Sequence, residues 1–327
     1  MKKSLLALAV LGAFSGVAAA QSSVTLYGTL DVGLSRQTGV KWTAFGVDGA
    51  SFHTPSRFGL KGSEDLGGGN RAIFDLQTSG FGMGDGKQKG GGFAFGREAY
   101  VGVANAALGT VKAGLDASVA TYAFAGINLN GISTSDAADA VGIDPVTWYG
   151  SSRRKGFASY TTANWGGFDA MVGYTFKQTA QLLGDTKAQT QVRANYTIGG
   201  LSLAATVETS HTAANRTAFA LGAKYDAPMF MVSGGYVRSE SEGNEANNNG
   251  KGKGLMLGGA GKFGAAQAGL QLARNQETKD SAYELFANYA MSKRTTLYAD
   301  FVTKTDKSTG KDDVKTHKLG LGVVHSF

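Results

Sequence analysis

From Ser23 onward the chain alternates. Val24, Leu26, Gly28, Leu30, Val32 and Leu34 share one parity, and Thr25, Tyr27, Thr29, Asp31, Gly33 and Ser35 share the other. A period of two with unlike faces is a β-strand whose two sides meet different surroundings. The pattern recurs near 56–65, 70–79, 95–104, 109–116, 154–163, 168–177, 188–198, 201–210, 216–226, 229–240, 253–262, 265–275, 281–290, 295–305 and 314–327, which predicts sixteen strands. Phe168, Ala170, Val172, Tyr174 and Phe176 oppose Asp169, Thr175 and Lys177 in one clear case. The small-residue segments 253–262 and 265–275 carry the pattern least clearly.

The connections alternate in kind. Short turns such as Asp65–Gly69, Asn105–Gly109, Asn164–Gly167, Gly199–Gly200 and Asp226–Pro228 exchange with longer polar stretches such as Gln37–Ala50, Gly80–Gly92, Thr179–Lys187, Ser241–Gly250 and Asp306–Asp313. Short turns at one end and long loops at the other describe an all-β transmembrane antiparallel barrel. The final strand places Leu319, Leu321, Val323, His325 and Phe327 on its outward parity and ends the chain on an aromatic residue.

The amino terminus adds a compartment. Lys2 and Lys3 precede an apolar run from Leu5 to Val17 and then Ala18-Ala19-Ala20, the three parts of a secretory signal, with cleavage expected after Ala20. The run is too short for a ~30 Å hydrocarbon core, which needs about 20 residues. Residues 21–327 would then form the barrel. The chain has no cysteine, so no disulfide framework supports it. Without Lys2 and Lys3 it carries 30 basic and 25 acidic residues, a net charge of +5. Its cations are scattered singly rather than gathered in one stripe, which argues against nucleic acid as a partner. Inside a pore the same excess favours anions.

One connection stands apart. Residues 117–152 contain no Lys or Arg but do contain Asp136, Asp139 and Asp144, together with Tyr122, Phe124, Ile127, Leu129, Ile132, Val141, Ile143, Trp148 and Tyr149. A loop this long and apolar needs a surface to pack on, and the barrel interior provides one. Alternation places Arg57 and Lys61 inward beside outward Phe58 and Leu60. It places Arg97 inward if Tyr100 and Gly102 face out, at the cost of an outward Glu98. Arg153 and Arg154 close the long loop, and Asp116 lies just before it. Arginines facing an acidic loop across a narrow lumen would set a transverse field that sorts small solutes by charge and dipole.

Other chemistries find little support. Of the four histidines, His317 and His325 share the outward face of the last strand, and His53 and His211 fall at loop edges, so no catalytic triad assembles from spacing. No metal-ligand spacing is present. Gly80-Phe81-Gly82-Met83-Gly84 lies in a polar loop without a strand-to-helix switch and does not read as a phosphate cradle. No enzyme activity and no cofactor are expected.

Ser23-Val24-Thr25-Leu26-Tyr27-Gly28 with Asp31 and Gly33, the run from Ser56 to Gly69, Phe95-Gly96-Arg97 and the closing His325-Ser326-Phe327 together resemble a trimeric general porin of Gram-negative bacteria, of the betaproteobacterial type. The resemblance implies sixteen strands per monomer, three pores per homotrimer, a third loop folded inward and a constriction lined by Arg57, Arg97 and Arg153, with Arg154 as the alternative to the last. It further implies outer-membrane residence among its lipids, a C-terminal strand read by the barrel-assembly machinery, and passive diffusion of ions and small hydrophilic solutes with anion preference. The chain departs from the family where Ala113-Gly114-Leu115-Asp116 stands for the usual Leu-Gly-Arg-Gln, which exchanges an arginine for an acid and weakens that preference. The remaining readings are a saturable channel in which Arg57 and Arg97 hold small carboxylates, and a barrel hydrolase.

Overall fold

The computed structural model describes residues 22–45, 52–78, 80–82, 92–130, 136–145, 152–177, 188–211, 216–244, 249–307 and 313–327. The expected signal segment 1–20 lies outside these residues, as do Ile132, Trp148 and Tyr149 of the long loop.

The strands are β1 (Ser23–Gln37), β2 (Thr43–Phe45), β3 (Arg57–Gly67), β4 (Asn70–Gln77), β5 (Glu98–Asn105), β6 (Gly109–Ala117), β7 (Arg153–Thr161), β8 (Phe168–Thr175), β9 (Gln189–Ile198), β10 (Leu201–Ser210), β11 (Arg216–Asp226), β12 (Phe230–Asn244), β13 (Asn249–Phe263), β14 (Ala266–Asn275), β15 (Ser281–Ala290), β16 (Thr295–Asp306) and β17 (Val314–Ser326). All sixteen expected segments form. β2 is an addition. It lies within Gln37–Ala50, read from the sequence as a loop, and folds back on the end of β1, pairing Gly33 with Phe45. A three-residue strand is too short to show a period.

Each long strand pairs antiparallel with its neighbours in sequence, and β1 pairs with both β3 and β17, which closes the barrel. Closure leaves no unpaired sheet edge, the condition for a sheet to cross a bilayer. The seam ends tightly. Gly28 N donates to Phe327 O at 3.1 Å and Phe327 N to Gly28 O at 3.0 Å. A Cβ on Gly28 would lie 2.4 Å from the Phe327 ring and 2.8 Å from the Arg57 carbonyl oxygen, so only glycine lets the terminal ring lie across β1.

The outward parity of β1, β8, β9 and β17 is as the alternation predicts, with Val24, Leu26, Leu34, Val172, Val192, Ile198 and Leu321 all exposed. Two aromatic belts bound this apolar surface. Trp165–Phe168 and Tyr225–Phe230 lie near the short turns, and Tyr174–Phe176, Phe219–Tyr236 and Tyr283–Phe301 lie toward the long loops. Such rings suit the two membrane interfaces.

The fourth long strand corrects the expectation. On β5, Val101 and Val103 are the exposed outward residues. Tyr100 pairs in register with inward Asp75, and Gly102 with Ile73. Glu98 therefore faces inward, which removes the cost attached to the opposite parity. Tyrosine misled the reading because its ring suits a lipid interface and its hydroxyl suits a wet lumen equally well.

The long loop runs through the interior. Ser118 caps a helix α1 (Val119–Phe124), and Asp136 caps a short helix α2 (Ala137–Ala140). α1 packs against β8, β9 and β10, and α2 against β14, β15 and β16. Phe124, Ile127, Val141 and Ile143 meet a bed of small inward residues, among them Ala204, Ala218, Ala220, Ala273 and Ala282. A Cβ on Gly254 would lie 2.6 Å from Ile143 Cδ1, and one on Gly258 2.7 Å from Leu129 Cδ1. The segments with the weakest alternation are the loop's seat: their inward side chains are small because the loop fills that space.

Gly28→Val should lower the unfolding midpoint by the equivalent of about 1–3 kcal/mol, the usual cost of overpacking. Phe327→Ala should not restore it, because the contact with the Arg57 carbonyl remains. Heat-dependent mobility of the folded barrel on electrophoresis measures both, and full rescue by Phe327→Ala would contradict the backbone contact.

Candidate functional site

The inward cations collect where β3, β5 and β7 reach the loop-bearing end. Arg57 opens β3 and pairs in register with Thr29 of β1. Its Nη1 donates to Thr54 Oγ1 and to the Pro55 carbonyl, both at 2.9 Å. The preceding segment is itself held inside. The Ser56 hydroxyl donates to Asp31 O at 3.1 Å, and Asp31 Oδ2 accepts from His53 N and Thr54 N at 3.1 and 2.9 Å.

Arg97 does not reach the interior by strand parity. It lies on the bend just before β5, tied by its N–H to the Gln77 carbonyl at 3.1 Å. Burial, and then repulsion from Arg153 and Arg57, push its guanidinium down to about 9. It therefore stays charged at neutral pH, and the three arginines form one cluster. Arg153 Nε lies 3.3 Å from Glu98 Oε1 and partly neutralises it. Arg57 and Arg97 make no ion pair among the described residues. Lys61 lies deeper along β3, 4.9 Å over the Tyr27 ring.

Sequence reading missed Lys112. Its Nζ sits 4.2 Å over the Tyr100 ring, 3.2 Å from Asp116 Oδ2 and 3.0 Å from the Tyr122 hydroxyl. The signal was present, since Val111 and Ala113 outward put Lys112 inward. Asp116 is buried and accepts from the Tyr122 hydroxyl at 2.7 Å, so it ties the start of the loop to the wall rather than lining open lumen.

Arg154 is also removed from the lumen. A bulge between Gly114 and Asp116 shifts the β6–β7 register and turns Arg154 inward beneath α1. There Nη2 donates to Glu208 Oε1 at 2.6 Å, with the two side chains 4% and 1% exposed.

Asp136 and Asp139 lie across the barrel from the arginines, at α2 against β14–β16, but they do not form a free anionic wall. Asp136 is 3% exposed. Its Oδ1 accepts from Asp139 N at 2.7 Å and its Oδ2 from Asn128 Nδ2 at 2.9 Å. Burial, then the Glu284 charge, push its carboxyl up to about 8. Asp139 is raised by burial, against the opposing pull of Lys318. Asp139 and Asp144 are half-buried. The expected field between two bare walls is thus corrected to a cationic wall facing a loop whose Asp136 caps a helix and whose Asp136 and Asp139 carboxyls are both raised by burial.

Side-chain amides hold the loop down. Asn130 Nδ2 donates to Glu284 Oε1 at 2.7 Å and to Asp300 Oδ1 at 3.0 Å, and its Oδ1 accepts from Asn288 at 2.9 Å. Asn275 Nδ2 donates to the Val141 carbonyl at 3.1 Å. His53, expected at a loop edge, lies inside against this group. Its ring stacks on Tyr298 at 4.7 Å and its Nδ1 is 3.2 Å from Asp300 Oδ2.

A model of the Gram-negative porin family matches residues 7–327. Over 338 residues the chain is 33% identical to outer membrane porin protein 32 of Delftia acidovorans, covering 94% of this chain and 92% of that one. Over 391 residues it is 27% identical to an outer membrane porin protein of Bordetella pertussis, covering 100% of both. Among solved structures, an anion-selective porin from Comamonas acidovorans superposes with a TM-score of 0.71 at 23% identity, covering 94% of this chain and 100% of that one.

Two outcomes test the loop's attachment. Arg154→Ala should destabilise the barrel by about 3–5 kcal/mol, because it leaves a buried carboxylate uncompensated. The double change Arg154→Met with Glu208→Leu should recover most of that in denaturant titrations. The raised Asp136 carboxyl adds stability that is full below about pH 4 and lost as pH rises through about 8. Asp136→Asn should flatten the fall in melting temperature between pH 5 and 9, and an unchanged slope would assign the titration to another group.

Proposed function

Because the chain belongs to the Gram-negative porin family, we propose that Arg57, Arg97 and Arg153 form the filter of its pore and give it a weak anion preference. The protein is an outer-membrane β-barrel porin, through which ions and small hydrophilic solutes diffuse passively. The observation that carries the filter is the charge balance of the cluster. Glu98 offsets Arg153 and Asp116 offsets Lys112, while Arg57 and Arg97 bind no carboxylate among the described residues. Two uncompensated guanidiniums in a narrow, poorly screened site attract anions and raise their local concentration. Lys61 and Lys112 extend the positive surface beside them. The capped state of Asp136 and the Lys318 charge beside Asp139 weaken the opposing wall, which favours the same sign.

The rest of the reading extends this proposal. The chain is exported after cleavage at Ala20 and works as a homotrimer. The outward stripe Leu319, Leu321, Val323, His325 and Phe327 serves as the signal to the barrel-assembly machinery. It acts as a channel and not as an enzyme.

Planar-bilayer recordings under a salt gradient test the filter. Wild type should show large ohmic steps and an anion-selective reversal potential, and Arg57→Ser with Arg97→Ser should move that potential toward zero or to cation selectivity. An unchanged potential in the double variant would place the filter elsewhere. Flux of small carboxylates that saturates in wild type and becomes linear in the double variant would instead identify a binding site at the same arginines.

A further inference from the structure

A buried acid stands close to the proposed filter. Asp31 is inward on β1 and fully buried, two residues along the same face from Thr29, the register partner of Arg57. That spacing is about 7 Å on a strand, and on charge alone the carboxylate works against the preference of the arginines. Asp31 makes no ion pair with Arg57 among the described residues. Its oxygens are taken by neutral donors instead. Oδ1 accepts from the Tyr298 hydroxyl of β16 at 2.6 Å, and Oδ2 accepts from His53 N at 3.1 Å and Thr54 N at 2.9 Å.

The place of Asp31 in the sheet explains the arrangement. β1 pairs with β3 up to Thr29 and with β2 from Gly33, so its backbone changes partner across Asp31. The Ser56 hydroxyl fills that gap, accepting from Asp31 N at 2.9 Å and donating to Asp31 O at 3.1 Å, because an enclosed backbone group needs a partner. No helix or strand covers 52–56, so its course inside the barrel is fixed from the wall. Phe52 packs on Tyr298 and Val324, His53 stacks on Tyr298 and reaches Asp300, and Asp31 holds the His53 and Thr54 N–H groups. The same segment carries the two oxygens, Thr54 Oγ1 and Pro55 O, that accept from Arg57 Nη1 at 2.9 Å. A guanidinium on a flexible stem keeps one direction only when its fork is held, and neutral oxygens hold it without cancelling its charge. We infer that Asp31 is a positioning residue of the filter: through 52–56 it sets the direction of the Arg57 guanidinium, and it acts by accepting hydrogen bonds rather than by its charge. The inference rests on the reading of Arg57 as a filter residue.

Reversal potentials of the refolded full-length protein in planar bilayers separate the two roles. Loss of a lumen acid by itself raises anion preference, whereas loss of positioning lowers it, so Asp31→Ala decides by sign. Asp31→Ala should move the potential toward zero by most of the shift that Arg57→Ser gives, and Arg57→Ser added to it should do less than Arg57→Ser alone. Asp31→Asn should stay near wild type, because its amide oxygen still accepts from His53 N and Thr54 N while its NH2 donates to the Tyr298 hydroxyl oxygen. A potential that is unchanged or more anion-selective in Asp31→Ala would overturn the inference, as would an equal loss in Asp31→Asn. Lowered thermal stability with a wild-type potential would mark a purely structural acid and overturn it too. If Asp31→Ala does not refold, Thr54→Val, which keeps the shape but removes the Oγ1 acceptor, should give a smaller shift of the same sign, and no shift there would overturn the inference. Arg57→Ser without effect in a conducting channel would remove the filter reading and this inference with it, whereas the Asp31 outcomes leave that reading standing.

Discussion

The backbone hydrogen-bond seam between β1 and β17 is the constraint on which everything else depends. A sheet in hydrocarbon can leave no N–H or C=O unpaired, so a chain of sixteen long strands is stable there only as a closed ring. Closure joins residues almost 300 positions apart, down to the reciprocal pair between Gly28 and Phe327. It also divides every strand into a lipid face and a lumen face. Charge can then collect inside a narrow tube, where a few side chains set the field.

Within the tube the interior is organised by how its charges are disposed of. Arg154 meets Glu208 beneath α1, Lys112 meets Asp116, and Asn130 bridges Glu284 and Asp300. These contacts attach the loop at both ends of its path and occupy four acids and two bases. Arg57 and Arg97 remain outside such pairs because the backbone around them supplies neutral oxygens or none. The two arginines of the proposed filter are those that the loop's anchoring leaves unused.

The glycine and alanine content has the same origin. Inward positions of β10, β11, β13 and β14 are small where α1, α2 and the residues between them press against the wall. A loop fixed by close packing on a rigid sheet holds its position far better than one held only by surface charges.

Strand number, barrel closure, the inward course of the loop and the outward stripe of the last strand were legible in the sequence. A period of two and alternating connection lengths are local patterns that follow from one face meeting lipid. Arg57 was legible for the same reason. Parity failed at β5, where Tyr100 suits both environments, and Arg97 enters from a bend that no period describes. The burial of Arg154 depends on a bulge, and its ion pair with Glu208 joins residues 54 positions apart. The Asn130 bridge to Asp300 spans 170 positions. The sequence by itself determined the barrel and the types of charge inside it. Which charges neutralise one another, and which stay unpaired, was decided only by the tertiary structure, because Coulomb and hydrogen-bond energies depend on distances that closure of the ring and packing of the loop create.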